Sequence, residues 1–361
     1  MADFKVNQIT NKNGKSGTSF VGVTTVSSTG AMRMPGGAKA YRGNRGRGIF
    51  AGGSEPNSVK NIDYINIAST GNATAWGELL NNGTSMAGGA SNNVRGVIAG
   101  GYEGAPTHGR ISTVQALNIQ TNGDIFKFQG LQFNAQQLSG VGNDTRGVYA
   151  LGYAYPNMSP FSPNSLNMHY DMIEFMSDAN RTDFGEIIGN AACRDLATVE
   201  TPIRGYFAGG EGTGLLDSPS NNKNITIKGF ANNSESLTFG ELSTFSQRGS
   251  AVGSATRGCF VIGSSIPAYI NTIEYITLTT SGEVTDFGDA TSGAGTLNNN
   301  SASNTIRGVY HIGRSTPGGS VLNTLDYITI ATTGNAQDFG DLSYVTRSGC
   351  GLSDSHGGLS H

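Results

Sequence analysis

Along this chain short apolar runs alternate with polar, glycine-rich breaks, and one phrase recurs. An arginine and a glycine open an apolar run that closes on one or two glycines: Arg47-Gly-Ile-Phe-Ala-Gly-Gly53, Arg95-Gly-Val-Ile-Ala-Gly-Gly101, Arg146-Gly-Val-Tyr-Ala-Leu-Gly152, Arg204-Gly-Tyr-Phe-Ala-Gly-Gly210, Arg257-Gly-Cys-Phe-Val-Ile-Gly263 and Arg307-Gly-Val-Tyr-His-Ile-Gly313. The intervals between the arginines are 48, 51, 58, 53 and 50 residues. Short apolar runs bounded by glycine read as buried strands. A period of about 40–50 residues with strand content is the signature of propeller blades or a comparable array.

Each period holds four strand-like pieces. In the second unit, strand a is the glycine-rich stretch 86–92 and strand b is the arginine phrase at 95–101. Strand c, at 114–120, alternates apolar and polar residues, and strand d follows at 125–131. Between c and d lies Thr121-Asn-Gly-Asp124, a tight-hairpin signal because Asn and Gly both tolerate positive φ. Strand c recurs as Ile62-Asp-Tyr-Ile-Asn-Ile67, Tyr170-Asp-Met-Ile-Glu-Phe175, Ile273-Glu-Tyr-Ile-Thr-Leu278 and Leu325-Asp-Tyr-Ile-Thr-Ile330, with a shorter version at 225–228. Strand d centres on an aromatic–glycine pair led by Trp76, Phe184, Phe239, Phe287 or Phe339, followed by Glu78, Glu186, Glu241, Asp289 or Asp341. The second unit departs here, with Phe128-Gln-Gly130 and no acid.

The pattern predicts an all-β protein over residues 36–361: six four-stranded antiparallel blades packed radially, which buries the bare sheet faces and leaves only short edges. The glycine pairs are expected near the crowded axis, and the strand-d aromatics in the wedges between blades. The arginines then form a ring. Each is expected to pair with a strand-d carboxylate or to cap turn carbonyls, holding its own blade together; an anion collar is the functional alternative. Two stretches could close the ring, 36–43 and 349–355. The C-terminal one is favoured, because a strand borrowed from the far end of the chain locks the ring.

Composition agrees with many short strands and tight turns. Glycine makes up 54 of 361 residues and charged residues 14%, against about 25% in an average globular protein. A disordered chain would carry more charge. A net charge of −3 without a basic cluster argues against a nucleic-acid partner. No apolar run approaches the roughly 20 residues of a membrane span, and the first residues carry no apolar signal core. No membrane insertion and no Sec export are therefore expected. Cys193, Cys259 and Cys350 lie in different units and are expected to be small buried strand residues rather than a disulfide framework.

The strands alternate direction, so the b–c and d–a connections emerge on one face and the shorter a–b and c–d turns on the other. The b–c loops vary while the scaffold repeats, which is where binding usually resides. Tyr102, His108, Tyr153, Tyr155, Phe161, Tyr269 and Arg314 are the candidate binding residues, with aromatics able to stack on sugar rings. The histidines at 108, 169, 311, 356 and 361 show no metal-ligand spacing. Neither a nucleophile elbow nor a phosphate loop occurs. A non-enzymatic protein with no cofactor and no metal is expected. Residues 1–35 fall outside the repeat; the turn signal Asn13-Gly14 and the Val/Thr-rich stretch 20–26 mark an extended arm able to pair with another chain.

The glycine pairs, the tyrosines Tyr64, Tyr275 and Tyr327 of strand c, and Trp76 with its phenylalanine counterparts resemble the kelch family of β-propellers over roughly residues 36–361. Three of the glycine pairs are reduced to one glycine and only one tryptophan is present. Segments such as Leu325-Asp-Tyr-Ile-Thr-Ile-Ala-Thr-Thr-Gly-Asn-Ala-Gln-Asp-Phe-Gly-Asp-Leu342, and the lead-in Phe4-Lys-Val-Asn-Gln-Ile-Thr-Asn-Lys-Asn-Gly14, are similar to tail- or virion-associated proteins of tailed phages of marine bacteria, cyanophages among them. That resemblance implies a virion structural protein of the tail, a fibre or the capsid exterior, made in the host cytoplasm. It would dock on other virion proteins through residues 1–35, within a homo-oligomeric or symmetric assembly, and would contact the host surface. A glycan-binding host-recognition module is the alternative. A polysaccharide-acting propeller enzyme is another, and would need clustered acids or a metal at the axial mouth.

Overall fold

A computed structural model describes residues 25–26, 32–33, 46–121, 125–155, 169–177, 181–187, 192–213, 222–265, 268–280, 282–295 and 297–359. The chain divides into two compact units, Met1–Tyr41 and Arg42–His361. In the first, Thr25–Val26 pairs antiparallel with Met32–Arg33; the rest of the expected arm lies outside the described residues. Among the described residues every regular element is a strand.

The second unit is a β-propeller of antiparallel, four-stranded blades. In strand order a to d these are Cys350–Ser353, Arg47–Ala51, Asn61–Asn66 and Thr74–Glu78; Ser139–Gly142, Arg146–Ala150, His169–Glu174 and Thr182–Glu186; Ala197–Thr201, Arg204–Ala208, Asn224–Gly229 and Leu237–Glu241; Ser250–Gly253, Arg257–Val261, Ala268–Thr277 and Thr285–Ala294; and Ser301–Ser303, Arg307–His311, Thr324–Thr329 and Gln337–Asp341. The Ala268–Thr277 strand also pairs with the short Ser264–Ser265.

These are five such blades, not the expected six. The second sequence unit enters a seven-stranded sheet instead. Its core keeps the order Gly88–Ser91, Arg95–Ala99, Gly109–Asn118 and Phe126–Gln136. Strand c begins five residues before the expected 114 and strand d ends five after 131. The extra length exposes unpaired backbone, which must find partners. Tyr153–Tyr155 adds to the long strand d, Tyr102–Glu103 adds to the long strand c, and Thr84–Ser85 pairs with Tyr102–Glu103.

Strand a of each sheet lies against strand a of the next, from Cys350–Ser353 through Gly88–Ser91, Ser139–Gly142, Ala197–Thr201, Ser250–Gly253 and Ser301–Ser303, and back to Cys350–Ser353. The C-terminal strand closes the ring, pairing Cys350 with Ala51 and Ser353 with Gly48. The glycines that crowd the axis belong to strand a: a Cβ on Gly140 would strike the Gly89 carbonyl and one on Gly351 would strike Ser301. The glycine pairs have a different task. Gly52 and Gly53 lie at φ 65° and 108°, turning the chain out of strand b under a d–a loop, where Gly53 N donates to Thr84 O at 2.7 Å.

Apolar side chains pack between neighbouring sheets. Phe339 joins Phe50, Ile65, Ile67 and Val309 in one such wedge, and Phe287 joins Val252, Cys259 and Tyr310 in another. Phe184 and Phe239 occupy equivalent wedges, while Trp76 is half-buried against Ile49, Ile98 and Leu352. All three cysteines are buried and free.

Three kinds of polar joint lock each sheet to the next. The repeat arginines touch their own blades, Arg47, Arg257 and Arg307 lying over Tyr64, Tyr275 and Tyr327 and Arg146 3.9 Å from Glu174, but their hydrogen bonds run to the neighbouring sheet rather than within the blade as expected. Five of the six reach the carbonyl just beyond strand c of the following sheet: Arg47 Nη1 donates to Ile119 O at 2.9 Å, Arg146 to Phe230 O at 2.8 Å, Arg257 to Ile330 O at 3.0 Å and Arg307 to Ile67 O at 3.3 Å. Arg95 does the same to Phe175 O. In the fourth sequence unit the Tyr206 hydroxyl takes this place, donating to Leu278 O. Strand c was long enough to predict, but its carbonyl end is offered to a residue some 70 positions away, which no local pattern records.

The second joint is the aromatic–glycine–acid motif. The next hairpin turn docks on its backbone: Gly71 N donates to Phe339 O and Ala73 N to Asp341 O, both at 2.8 Å, and Gly334 N to Phe287 O at 2.8 Å. Gly340, at φ 139°, has no room for a Cβ against Gly71. In the third joint a buried acceptor on strand c takes a backbone N–H from the later part of strand d of the preceding sheet or just beyond it. Asp63 accepts from Ser343 N at 2.6 Å and from its hydroxyl at 2.8 Å. Asp326 accepts from Thr291 N and Oγ1 at 3.0 and 2.7 Å, Asp171 from Gln132 N at 2.9 Å, and Glu274 from Ser243. In the second unit the acceptor is the neutral Gln115, taking Leu80 N at 2.7 Å.

Candidate functional site on the loop face

The two ends of the axis differ. On the a–b turn side the chain's own C-terminus follows the closing strand and fills the mouth. His356 is buried there, with Nδ1 2.6 Å from Glu200 and Nε2 2.8 Å from the Ser91 carbonyl. Burial disfavours the imidazolium, but the Glu200 carboxylate outweighs that and raises the His356 pKa. The cavity left along the axis is only ≈ 50 Å³.

On the loop face an open cleft of ≈ 390 Å³ lies between the loops of the first and second units, within the range of about 300–1,000 Å³ typical of ligand pockets. Ser54, Asn57, Ser85, Tyr102, His108 and Gln136 give it its polar lining. His108 adopts φ 42°, and its N–H donates to Gly104 O at 3.0 Å. This left-handed turn leaves the imidazole exposed at the cleft, a conformation His tolerates better than most side chains.

The extra strands of the seven-stranded sheet bring these residues together. Tyr102 pairs with Arg110 across one ladder and Gln136 with Tyr153 across another. One step beyond the Ile111–Ala135 pair, the register sets Arg110 opposite Gln136. Tyr102, Arg110, Gln136 and Tyr153 thus form a cross-strand row. Directly opposed residues project from the same face of a sheet. Two guanidinium groups lie over the Tyr153 ring, Arg110 at 4.1 Å and Arg194 at 4.9 Å from its centroid. Arg194 is neutralised, 2.5 Å from Glu211 and 3.3 Å from Gln137 Oε1. Arg110 has no carboxylate partner among the described residues; desolvation and the neighbouring Arg194 lower its pKa, against the pull of Tyr153.

Deeper towards the axis Asp195 is fully buried. It accepts from Gln137 Nε2 at 2.5 Å and from Asn298 Nδ2, with Arg248 Nε 3.6 Å away. Burial raises its pKa despite both arginines. At the equivalent position in each sequence unit, two residues before strand a, the backbone is left-handed: Met86, Gln137, Asp195, Arg248, Asn299 and Ser348. Each turns the d–a loop into the innermost strand.

Of the residues singled out from sequence, Tyr102 and His108 line the cleft, and Tyr153 lies beside it, paired with the lining residue Gln136. Phe161 and the side chain of Tyr155 lie outside the described residues. Tyr269 does not join them; it packs on Gly295 in the fifth unit's long hairpin. Arg314 bridges to Val321 within its own loop. Arg110, Gln136 and Arg194 escaped the sequence reading because they lie on strands, not in the variable loops. The available signal was the polar alternation continuing upstream of 114, through Arg110 and Ser112.

The arrangement offers a cation, hydroxyls, amides, an imidazole and an aromatic face, a recognition set. Among the described residues no group of three His, Cys, Asp or Glu could hold a metal ion, and no helix is long and apolar enough to cross a membrane. No protein-family model matches the chain, and a search of curated proteins finds none that matches.

Proposed function

We propose that the chain is a non-enzymatic virion structural protein of a tailed phage: a kelch-like propeller, six-bladed when the seven-stranded sheet is taken as a widened blade. Residues 1–35 dock it on other virion proteins, and its loop face contacts a further virion protein or the host surface. The observation that supports this reading most is the unequal use of the two faces. The a–b side is sealed by the chain's own C-terminus around His356 and Glu200, while the loop face carries an unfilled cleft at Tyr102 and His108. The interior is spent on fixed joints between sheets, as suits a scaffold. Deleting residues 1–35 should yield a folded propeller that mass spectrometry no longer detects in purified particles. Normal incorporation of the truncated chain would remove the docking role.

A glycan-binding module for host recognition is the second reading, favoured by the hydroxyl- and amide-lined cleft beside an aromatic row. A glycan array separates it from a purely architectural protein, which should retain no sugar.

A further inference from the structure

The loop-face cleft has a chemistry more specific than its size. Its row across four strands places a guanidinium between a tyrosine and an amide. Arg110 is half-buried, and its partner in the stack is Tyr153 rather than an anion. Arg194, over the same ring, shows how such a cation is settled nearby, with Glu211 at 2.5 Å. A partly desolvated cation without a counter-charge is costly unless a ligand supplies one. Stacked on Tyr153, the Arg110 fork is held in one orientation, and a planar, pre-organised fork suits a carboxylate better than a mobile ammonium would.

Beside that fork, across the Tyr102 pair, the cleft is neutral and rich in groups that bind hydroxyls. Asn57, Ser54 and Ser85 line one side, and His108 and Gln136 the other. Tyr102, next to Arg110 in the row, supplies an aromatic face. Tyr153 is already engaged by two guanidinium groups, which leaves Tyr102 as the aromatic at the cleft.

We infer that this cleft binds an acidic glycan: a carboxylated sugar whose carboxylate pairs with Arg110, whose ring rests on Tyr102, and whose hydroxyls meet Asn57, His108 and Gln136. The inference rests on the recognition role proposed for the loop face but stands apart from virion docking. Absence of the protein from particles would remove the virion role and leave this site intact.

The test uses the full chain and two matched pairs of probes, sialyllactose against lactose and trigalacturonate against maltotriose, titrated by calorimetry and saturation-transfer NMR. At least one acidic probe should bind while its neutral counterpart does not. Arg110→Gln should weaken that binding about tenfold or more, the loss of a charge-assisted pair, and raised salt should weaken it too. Tyr102→Ala should weaken it with the charge intact. Arg110→Lys, which keeps the charge but loses the fork, should retain only part. Thermal unfolding of each variant identifies any loss caused by misfolding; a destabilised Arg110→Gln is replaced by Arg110→Met. Equal binding of acidic and neutral probes, unchanged binding by the Arg110 variants, or no binding of either acidic probe at millimolar concentration would overturn the inference.

Discussion

The regular blades and the second unit begin from the same phrase and end differently. In the blade of residues 301–341, strands c and d are six and five residues long, and every kind of polar joint to its neighbours is made: the Arg307 bond to Ile67 and the docked hairpin at Phe339 and Asp341 towards the next sheet, and the acid Asp326 on Thr291 of the preceding one. In the second unit the same two strands are ten and eleven residues long. There the strand-d acid is missing and the strand-c acceptor is a neutral glutamine. The longer strands carry the sheet beyond the ring joints and out to the loop face. There they assemble the row of Tyr102, Arg110, Gln136 and Tyr153. Regularity serves closure, and the departure from it builds the one loop-face cleft that gathers several of the sequence-predicted residues.

The largest test of this contrast is to open the ring. Removing residues 350–361 deletes the closing strand and the axial plug, leaving Arg47–Ala51 as an unpaired inner edge. The cooperative thermal transition should be lost, as followed by circular dichroism; a transition like that of the full chain would show that closure does not depend on the C-terminus. Next come the two strand-d glycines. Gly340→Ala forces a Cβ onto the Gly71 backbone from a left-handed conformation and should cost about 2–3 kcal/mol in denaturant unfolding. Gly130→Ala, whose Cβ would meet only Ser112 O at an ordinary 3.5 Å, should stay within about 0.5 kcal/mol. Equal costs at the two positions would erase the distinction between joint and extension.

The strand-c acceptors differ in pH response. Desolvation pushes the Asp171 carboxyl up to about 6, against the opposing effects of Gln132 N–H and Arg181. A carboxyl that is more basic folded than unfolded contributes stability below its unfolded pKa near 3.8, and that contribution is lost as pH rises through about 6. Asp171→Asn should therefore gain on the wild type by up to about 3 kcal/mol between pH 4 and pH 7. Gln115 already resembles that variant, so the second unit's own acceptor should add no such slope. A pH-independent difference for Asp171→Asn would refute the assignment. The smallest expected effect compares two arginines. Arg307→Met loses the bond to Ile67 O and should cost about 1 kcal/mol. Arg204→Met should cost less, about 0.5 kcal/mol or below, because Tyr206 already bonds Leu278 O in that position.

Much of the scaffold was readable from residues. The arginine phrase marks strand b in every unit; the Asn122-Gly123 turn signal lies outside the described residues. The Val/Tyr/Ile alternation marks strand c, because these signals are local and set by side-chain period and backbone freedom. Of the two stretches that could close the ring, the sequence favoured 349–355 without deciding it; the pairing of Cys350–Ser353 with Gly48–Ala51 decides it. What misled was purpose. Arg47 and its equivalents look like intrablade caps, yet they bridge sheets. Asp63 and Asp171 sit in strand c like ordinary polar alternates, yet they are buried acceptors for the preceding sheet. The glycine pairs look like axial spacers, yet they turn the chain beneath the d–a loops.

By itself the sequence determined the repeat, the strand periodicity, the all-β class and the variable face, because each depends on neighbours within about ten residues. Tertiary structure decided which sheets match the repeat and what each repeated polar residue bonds. It also decided that Tyr102 and His108 share a cleft, with Arg110 and Tyr153 in the strand row beside it, while Tyr269 and Arg314 lie elsewhere. The physical reason is the same throughout: backbone groups at the end of one strand and side chains in the next sheet find each other only after the ring has closed, across separations that no window of sequence contains.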